Sequence, residues 1–278
     1  MEFKKLGKTE VEIPVLGLGT WGIGGFSDRH LGSEDKAVRA LRLGLELGMR
    51  FLDTAEIYAN GHSEEIVGIA VGEERENIFI ATKVSPSNLS YEDVIRSCEG
   101  SLKRLKMKYV DLYQVHWPNT SIPIRETMKA MEKLAAEGKV REIGVSNFSV
   151  HQTREAQEAL SKKSLASNQV KYNLIERSIE EDLVPYCMKE HVTIIAYSPV
   201  ARGHIPGGGR EERWRVLDGI AEKYGKTRTQ VALNWLICKE PVVAIPKAVT
   251  LEHVREDAGS ADWRLKKEDR DALNKAFS

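Results

Sequence analysis

The sequence is short of cysteine, has no excess of either charge and contains no long apolar run, and each lack removes a class of protein. Its three cysteines, Cys98, Cys187 and Cys238, stand far apart and form neither a CxxC pair nor a zinc-ligand spacing. A disulfide framework is therefore excluded, an odd and sparse count suits a reducing compartment, and the three read as small core or surface residues. Lys+Arg and Asp+Glu both total 41, so the formal net charge is zero. Without a basic field or a run of like charges, nothing in the chain would hold nucleic acid or an anionic membrane, and an anionic ligand needs a local cluster. No apolar stretch approaches the ~18 residues of a membrane span. Residues 1–20 lack the basic-then-apolar pattern of a secretory signal, so the expected location is cytoplasmic. No HExxH or clustered ligand spacing is present, so no metal is expected, and His62, His151, His191 and His204 are expected on the surface.

What is present is a globular composition, 41% hydrophobic and 29% charged over 278 residues, with enough apolar side chain for a sizeable core. Short β-rich runs recur at Val15–Gly19, Arg50–Asp53, Ile78–Val84, Val110–His116, Glu142–Ser146, Ser167–Val170, Thr193–Ser198 and Val242–Pro246. Amphipathic helical stretches lie between them, among them Glu34–Leu47, Tyr91–Leu105, Ile124–Glu137, Ile179–Glu190 and Thr227–Cys238, with Asn88, Ser149 and Ser178 as candidate caps. Trp214 and Trp235 fall in helical stretches and read as core.

Strand then helix, repeated, calls for a parallel sheet, and eight units in this length predict a closed (β/α)8 barrel in one domain spanning residues 1–278. An open doubly wound sheet is the alternative. It needs a GxGxxG turn after its first strand, whereas Gly17–Gly25 has poor glycine spacing with Trp21 intruding. Phe3–Leu6 and Val11–Ile13 flank a Gly-Lys-Thr turn and predict a hairpin capping the barrel bottom. Leu265–Phe277 predicts a final helix, and Gly203–Gly209 a mobile loop.

In such a barrel the chemistry sits at the C-terminal strand ends. Those ends carry Asp53 with Tyr58 five residues on, Lys83, His116 followed by Trp117, Ser146-Asn147, Gln169, Tyr197-Ser198 and Pro246-Lys247. Charged groups at the ends of apolar strands are costly unless paired, so Asp53, Lys83 and His116 are expected to converge on one another or on a ligand. A free tyrosine, with a pKa of about 10, is a poor proton donor near neutrality. A neighbouring ammonium would lower it and a carboxylate would hold that ammonium. A neutral histidine can orient a carbonyl oxygen. Taken singly, Tyr58 would read as a surface aromatic, Asp53 as a helix cap, Lys83 as a surface lysine, His116 as a core histidine, and Trp21 and Trp117 as core aromatics.

The motifs in order overturn those readings. They are Gly48-Met49-Arg50-Phe51-Leu52-Asp53-Thr54-Ala55 with Tyr58, Gly61-His62-Ser63-Glu64, Leu112–Pro118 (LYQVHWP), Gly144-Val145-Ser146-Asn147-Phe148, Asn168–Asn173 (NQVKYN), Ala196-Tyr197-Ser198-Pro199 and Ile245-Pro246-Lys247. The chain resembles the aldo-keto reductases from about Gly17 to Asp257. The resemblance implies NAD(P)H-dependent reduction of aldehyde or ketone carbonyls, with a catalytic tetrad of Asp53, Tyr58, Lys83 and His116. It also implies a nicotinamide stacked on Tyr197 and held by Ser146, Asn147 and Gln169, with Asp53 near its ribose. The loop from Ser198 through Val200 to Arg202 would wrap the pyrophosphate, Lys247 would meet the 2′-phosphate and Glu256 the adenine. Thr20 and Trp21 would line the cofactor–substrate junction, and Trp117 would wall the substrate beside Tyr58 and His116.

Three positions depart from the family pattern: Ala248 follows the lysine, His253 stands where an arginine is frequent, and Asp257 where an asparagine is common at the adenine. NADP(H) is the expected cofactor, with NAD(H) open. A histidine at 253 would make NADPH binding depend on pH. The short tail after the last helix implies an open mouth and broad substrate selection, and a monomer is expected. Two rival readings are a nicotinamide-binding auxiliary subunit without turnover and a barrel aldolase using Lys83 as a Schiff base.

Overall fold

The computed structural model describes residues 1–278 apart from Ser27 and Ser33. Among the described residues ten strands are present: β1 (Phe3–Lys5), β2 (Glu12–Pro14), β3 (Leu18–Gly19), β4 (Phe51–Asp53), β5 (Phe79–Val84), β6 (Val110–Val115), β7 (Val140–Ser146), β8 (Leu165–Lys171), β9 (Thr193–Tyr197) and β10 (Val242–Ala244). β3 to β10 pair in parallel with each strand beside its predecessor, as strand–helix–strand crossovers require. The ladder then closes on itself. Gly17 N donates to the Ala244 carbonyl at 2.9 Å, Ala244 N to Val15 O at 2.9 Å, and Gly19 N to Pro246 O at 2.8 Å. The predicted eight-unit barrel is thus formed. The run predicted over Val15–Gly19 is divided, with Leu16 facing Ala244 and Leu18–Gly19 facing β4.

The helices are α1 (Glu34–Glu46), α2 (His62–Val71), α3 (Tyr91–Leu105), α4 (Ile124–Ala136), α5 (Val150–Ala159), α6 (Leu183–Glu190), α7 (His204–Gly207), α8 (Glu212–Tyr224), α9 (Arg228–Ile237), α10 (Leu251–Ala258) and α11 (Lys267–Ala276). Ser149 caps α5 in a reciprocal capping box with Gln152. The other two caps move. Ser90 caps α3, while Asn88 spends its amide on Glu56 and Ser97. Ser178 opens only a short 3-10 turn, and α6 begins after Asp182. Pro185 explains the split, because proline is tolerated in a first helical turn but clashes with the preceding turn of a longer helix. Gly203–Gly209 folds in part into α7, anchored by the fully buried Ile205, and is not a bare loop. Trp214 and Trp235 are buried as expected.

The barrel interior is apolar at its base. Phe51, Ala81, Leu112, Ile195 and Val243 form a floor, and the β1–β2 hairpin closes it from below with Leu6 and Ile13. Lys4 clamps this hairpin to the barrel with three donations of 2.9 Å, to the carbonyls of Ile237, Lys239 and Val242. One pleat repeat further along the strands, Phe51 gives way to Asp53, Ala81 to Lys83, Leu112 to Gln114 and Ile195 to Tyr197. Period two therefore carries the interior from an oily floor to a polar layer.

Gly7 turns the hairpin at φ 59°, and a Cβ there would lie 2.7 Å from the Ala166 carbonyl oxygen. Gly7→Ala is expected to destabilise the fold by about 2–4 kcal/mol, the left-handed backbone and the overpacking acting together. Urea unfolding checks this, and an unchanged midpoint would show that the hairpin does not seat as described.

Candidate active site

Lys83 reaches the polar layer from β5 with no exposed surface. Its three N–H groups find three acceptors: Asp53 Oδ1 at 2.6 Å, the Thr54 carbonyl at 2.7 Å and the Tyr58 hydroxyl at 3.3 Å. The other Asp53 oxygen accepts from Gln114 Nε2 at 3.2 Å and from Gln169 Nε2 at 2.8 Å. Of the expected Asp53, Lys83 and His116, the first two are paired, Tyr58 and Gln114 join them, and His116 meets the Tyr58 ring. The sequence signal for Gln114 is a lone amide on the apolar strand β6, two residues before His116 and on the same face.

Tyr58 projects from a 3-10 turn over 58–61 in which Ala59 and Asn60 adopt left-handed backbone. Its ring meets that of His116 edge-on, with centroids 5.5 Å apart. Burial alone would lower the Lys83 pKa, but Asp53 and Tyr58 outweigh it and the ammonium is held above its ordinary value. The Tyr58 phenol is raised instead of lowered, a correction to the sequence expectation. Burial penalises the phenolate, and Asp53 behind the lysine cancels part of the ammonium's pull. Burial, with Lys83 nearby, pushes the His116 imidazole down to about 3, so it is neutral across the working range. Its buried Nδ1 has no hydrogen-bond partner.

Beyond this group a cleft of about 1190 Å³ crosses the C-terminal face of the barrel. Its lining includes Thr20, Trp21, Asp53, Tyr58, His116 and Trp117, Ser146, Asn147, Gln169 and Tyr197, Ser198, Val200 and Arg202, and Lys247, His253, Glu256 and Asp257. Lys83 lies beneath the cleft, and Ala248 is buried beside it without lining it. Tyr197 is half-buried, and its hydroxyl donates to Asn147 Oδ1 at 3.0 Å, which fixes the ring. Asn147, at φ 61°, donates its side-chain amide to Ser146 Oγ and to the His116 carbonyl, both at 3.0 Å. Arg202 lies 4.7 Å over the Trp21 ring and bridges two loops across the cleft. Lys247 and the start of α10 with its Thr250 cap offer a cation and open amides to an anion. Burial and the adjacent Glu256 push the Asp257 carboxyl up to about 8, so it is neutral near pH 7. His62 departs from expectation. It is 6% exposed, because it begins α2 facing α1, and both ring nitrogens face carboxylates there.

The Aldo/keto reductase family model matches residues 15–277. This chain is a member of the aldo/keto reductase family. It is 39% identical to methylglyoxal reductase YeaE of Escherichia coli, over 96% of this chain and 92% of that one. A thermostable aldo-keto reductase solved with the inhibitor epalrestat superposes with a TM-score of 0.94 at 43% identity, covering 99% of this chain and all of the other. An aldo-keto reductase from Klebsiella pneumoniae in complex with NADPH gives a TM-score of 0.90 at 36% identity, over 100% and 96% of the two chains. This aldo/keto reductase is thus an oxidoreductase family member acting on carbonyl compounds, and among its described residues no helix is long and apolar enough to cross a membrane.

Asp53→Ala would leave a buried ammonium without its counter-charge. Stability is expected to fall by about 3–5 kcal/mol, read from denaturant unfolding. A loss below 1 kcal/mol would show that water or a neighbour replaces the pair.

Proposed function

We propose that this aldo/keto reductase reduces aldehyde or ketone carbonyls with NADP(H), using Tyr58 as the proton donor. The observation that carries the reading is the Tyr58 hydroxyl, poised at the cleft and 3.3 Å from the buried ammonium of Lys83. The residues along the cleft fit a nicotinamide dinucleotide. Tyr197 offers a fixed aromatic face to the nicotinamide, and Ser146, Asn147 and Gln169 offer amide and hydroxyl groups to its carboxamide. Gln169 keeps its amide N–H on Asp53, so its oxygen is the atom left for the ligand. Ser198, Val200 and Arg202 flank the pyrophosphate region, and Lys247 with the start of α10 takes the 2′-phosphate. His253, Glu256 and Asp257 border the adenosine.

When bound, the cofactor supplies a hydride to the carbonyl carbon. Tyr58 gives its phenolic proton to the carbonyl oxygen, and the raised pKa keeps that proton in place beforehand. The phenolate left behind faces Lys83, whose charge stabilises it, and Asp53 holds Lys83. His116, kept neutral, donates a hydrogen bond that orients the carbonyl. Trp21 and Trp117 wall the substrate. In reverse, Tyr58 takes the proton of an alcohol as hydride leaves its carbon. The name of the Escherichia coli relative points to small 2-oxoaldehydes as the first substrates to try.

Tyr58→Phe is expected to lower kcat by about 10³-fold while changing the NADPH Kd less than about twofold. Reduced-nicotinamide absorbance with a panel of carbonyls and NADPH fluorescence titration read the two quantities. Activity surviving within a few-fold would remove Tyr58 from the role, and absence of NADPH binding would remove the reading itself.

Asp257 lines the cleft beside Lys247 and His253, where we place the adenosine. A neutral Asp257 tolerates a phosphorylated ligand, and an ionised one opposes it. NADPH affinity should therefore hold below pH 8 and weaken above it, by about tenfold at pH 9. Asp257→Asn should flatten that limb. A wild-type Kd constant from pH 7 to 9 would contradict the Asp257 assignment.

A further inference from the structure

The loop between β3 and α1 forms one wall of the cleft through Trp21, Phe26 and Asp28. It is gripped by the segment that carries Tyr58. The Ala59 amide donates to the Phe26 carbonyl at 2.9 Å, and Ser63 Oγ donates to Thr20 Oγ1 at 2.9 Å. At the centre of the grip is His62. Its Nδ1 lies 2.9 Å from Glu65 Oε2 and its Nε2 lies 3.2 Å from Glu34 Oε1. Each carboxylate uses its second oxygen on the loop. Glu34 Oε2 accepts the Gly32 amide at 2.7 Å, and Glu65 Oε1 accepts from Arg29. Burial opposes ionisation of Glu65, but hydrogen bonds from His62 and Arg29 hold its carboxyl below the usual range. The ring is also the seat of the loop backbone: a Cβ on Gly24, which sits at φ 77°, would lie 2.9 Å from His62 Cδ2.

Two carboxylates from different helices on one buried ring, each tied onward to the loop, fix the loop at Gly24, Arg29 and Gly32 together. The aromatics it presents do not anchor themselves. Trp21 and Phe26 are 41% and 63% exposed and pack edge-on with centroids 5.1 Å apart. The Ala59 and Ser63 hydrogen bonds and Arg202 hold the residues of the wall itself, the His62 cluster holds the rest of the loop behind it, and His62 does not line the cleft.

We infer that His62, with Glu34 and Glu65, positions the aromatic wall formed by Trp21 and Phe26 and thereby sets affinity for the carbonyl substrate. The inference rests on reading the cleft as a carbonyl-reductase site. His62→Leu keeps most of the bulk of the side chain but removes both ring nitrogens, so Glu34 and Glu65 both lose their contact with residue 62. The KM for an aldehyde is expected to rise about five- to tenfold, with kcat and the NADPH Kd within about twofold, the signature of lost binding without lost chemistry. Tryptic cleavage after Arg29 of the intact protein, followed by mass spectrometry, should accelerate in the same variant. Glu65→Gln frees Arg29 while leaving His62 in place, and it should move both readouts in the same direction if the first variant folds poorly. Unchanged KM and unchanged cleavage in either folded variant would overturn the inference, as would a fall in kcat at constant KM. Should the wild-type protein reduce no carbonyl, the carbonyl-reductase reading falls, and with it the substrate assignment. The cleavage rates then still decide whether the cluster holds the loop.

Discussion

An ammonium with no exposed surface cannot stay charged in an apolar barrel unless every one of its N–H groups is met and an opposite charge lies beside it. Lys83 meets both conditions through Asp53, Thr54 and Tyr58. Much of the site follows from that requirement. Asp53 stands at the end of the neighbouring strand because only there does its carboxylate reach the lysine. Gln114 and Gln169 point inward because the second carboxylate oxygen also needs donors. Tyr58 is drawn from a distorted turn over the same ammonium. The result is a buried charged layer on an apolar floor, where burial raises the phenol against the pull of Lys83 and depresses the imidazole with its help.

Backbone strain is distributed in the same direction. Of the non-glycine residues with left-handed backbone, Lys106 and His191 end helices α3 and α6, an ordinary place for that conformation. Ala59, Asn60, Asn147, Ser198, Ala201 and Arg202 instead belong to the loops at the C-terminal face that border the cleft. Such conformations cost energy and persist where the surroundings over-determine them. Here the surroundings are the hydrogen bonds from Asn147 to Ser146 and His116, and from the Ala59 amide to Phe26. The opposite face carries the hairpin plug and the Lys4 clamp, whose role is to close the floor.

The physical character of each feature decided how much of it could be read in the sequence. Period-two runs separated by amphipathic helices made the barrel legible, because burial on a sheet writes directly into the order of residues. The strand ends made Asp53, Lys83, His116 and Tyr197 legible, since a polar group at the end of an apolar run is conspicuous. Helix starts were less legible. Asn88 and Ser178 are good capping residue types, yet Ser90 and the chain after Asp182 begin the helices, because Asn88 is drawn to Glu56 and Ser97 and because Pro185 forbids an earlier start.

By itself, the sequence determined the fold class, the order of the units and the residues gathered at the barrel's C-terminal face, because periodicity and strand position are local properties of the chain. Only the tertiary structure decided how those residues behave. The rise of the Tyr58 phenol is a balance between burial and two opposite charges on separate strands. The neutral Asp257 depends on how deeply α10 buries it. His62 becomes a buried tie and not a surface histidine because α1 and the β3–α1 loop bring Glu34 and Arg29 to it and to Glu65. Each is a long-range sum of desolvation and charge, which no short stretch of sequence contains.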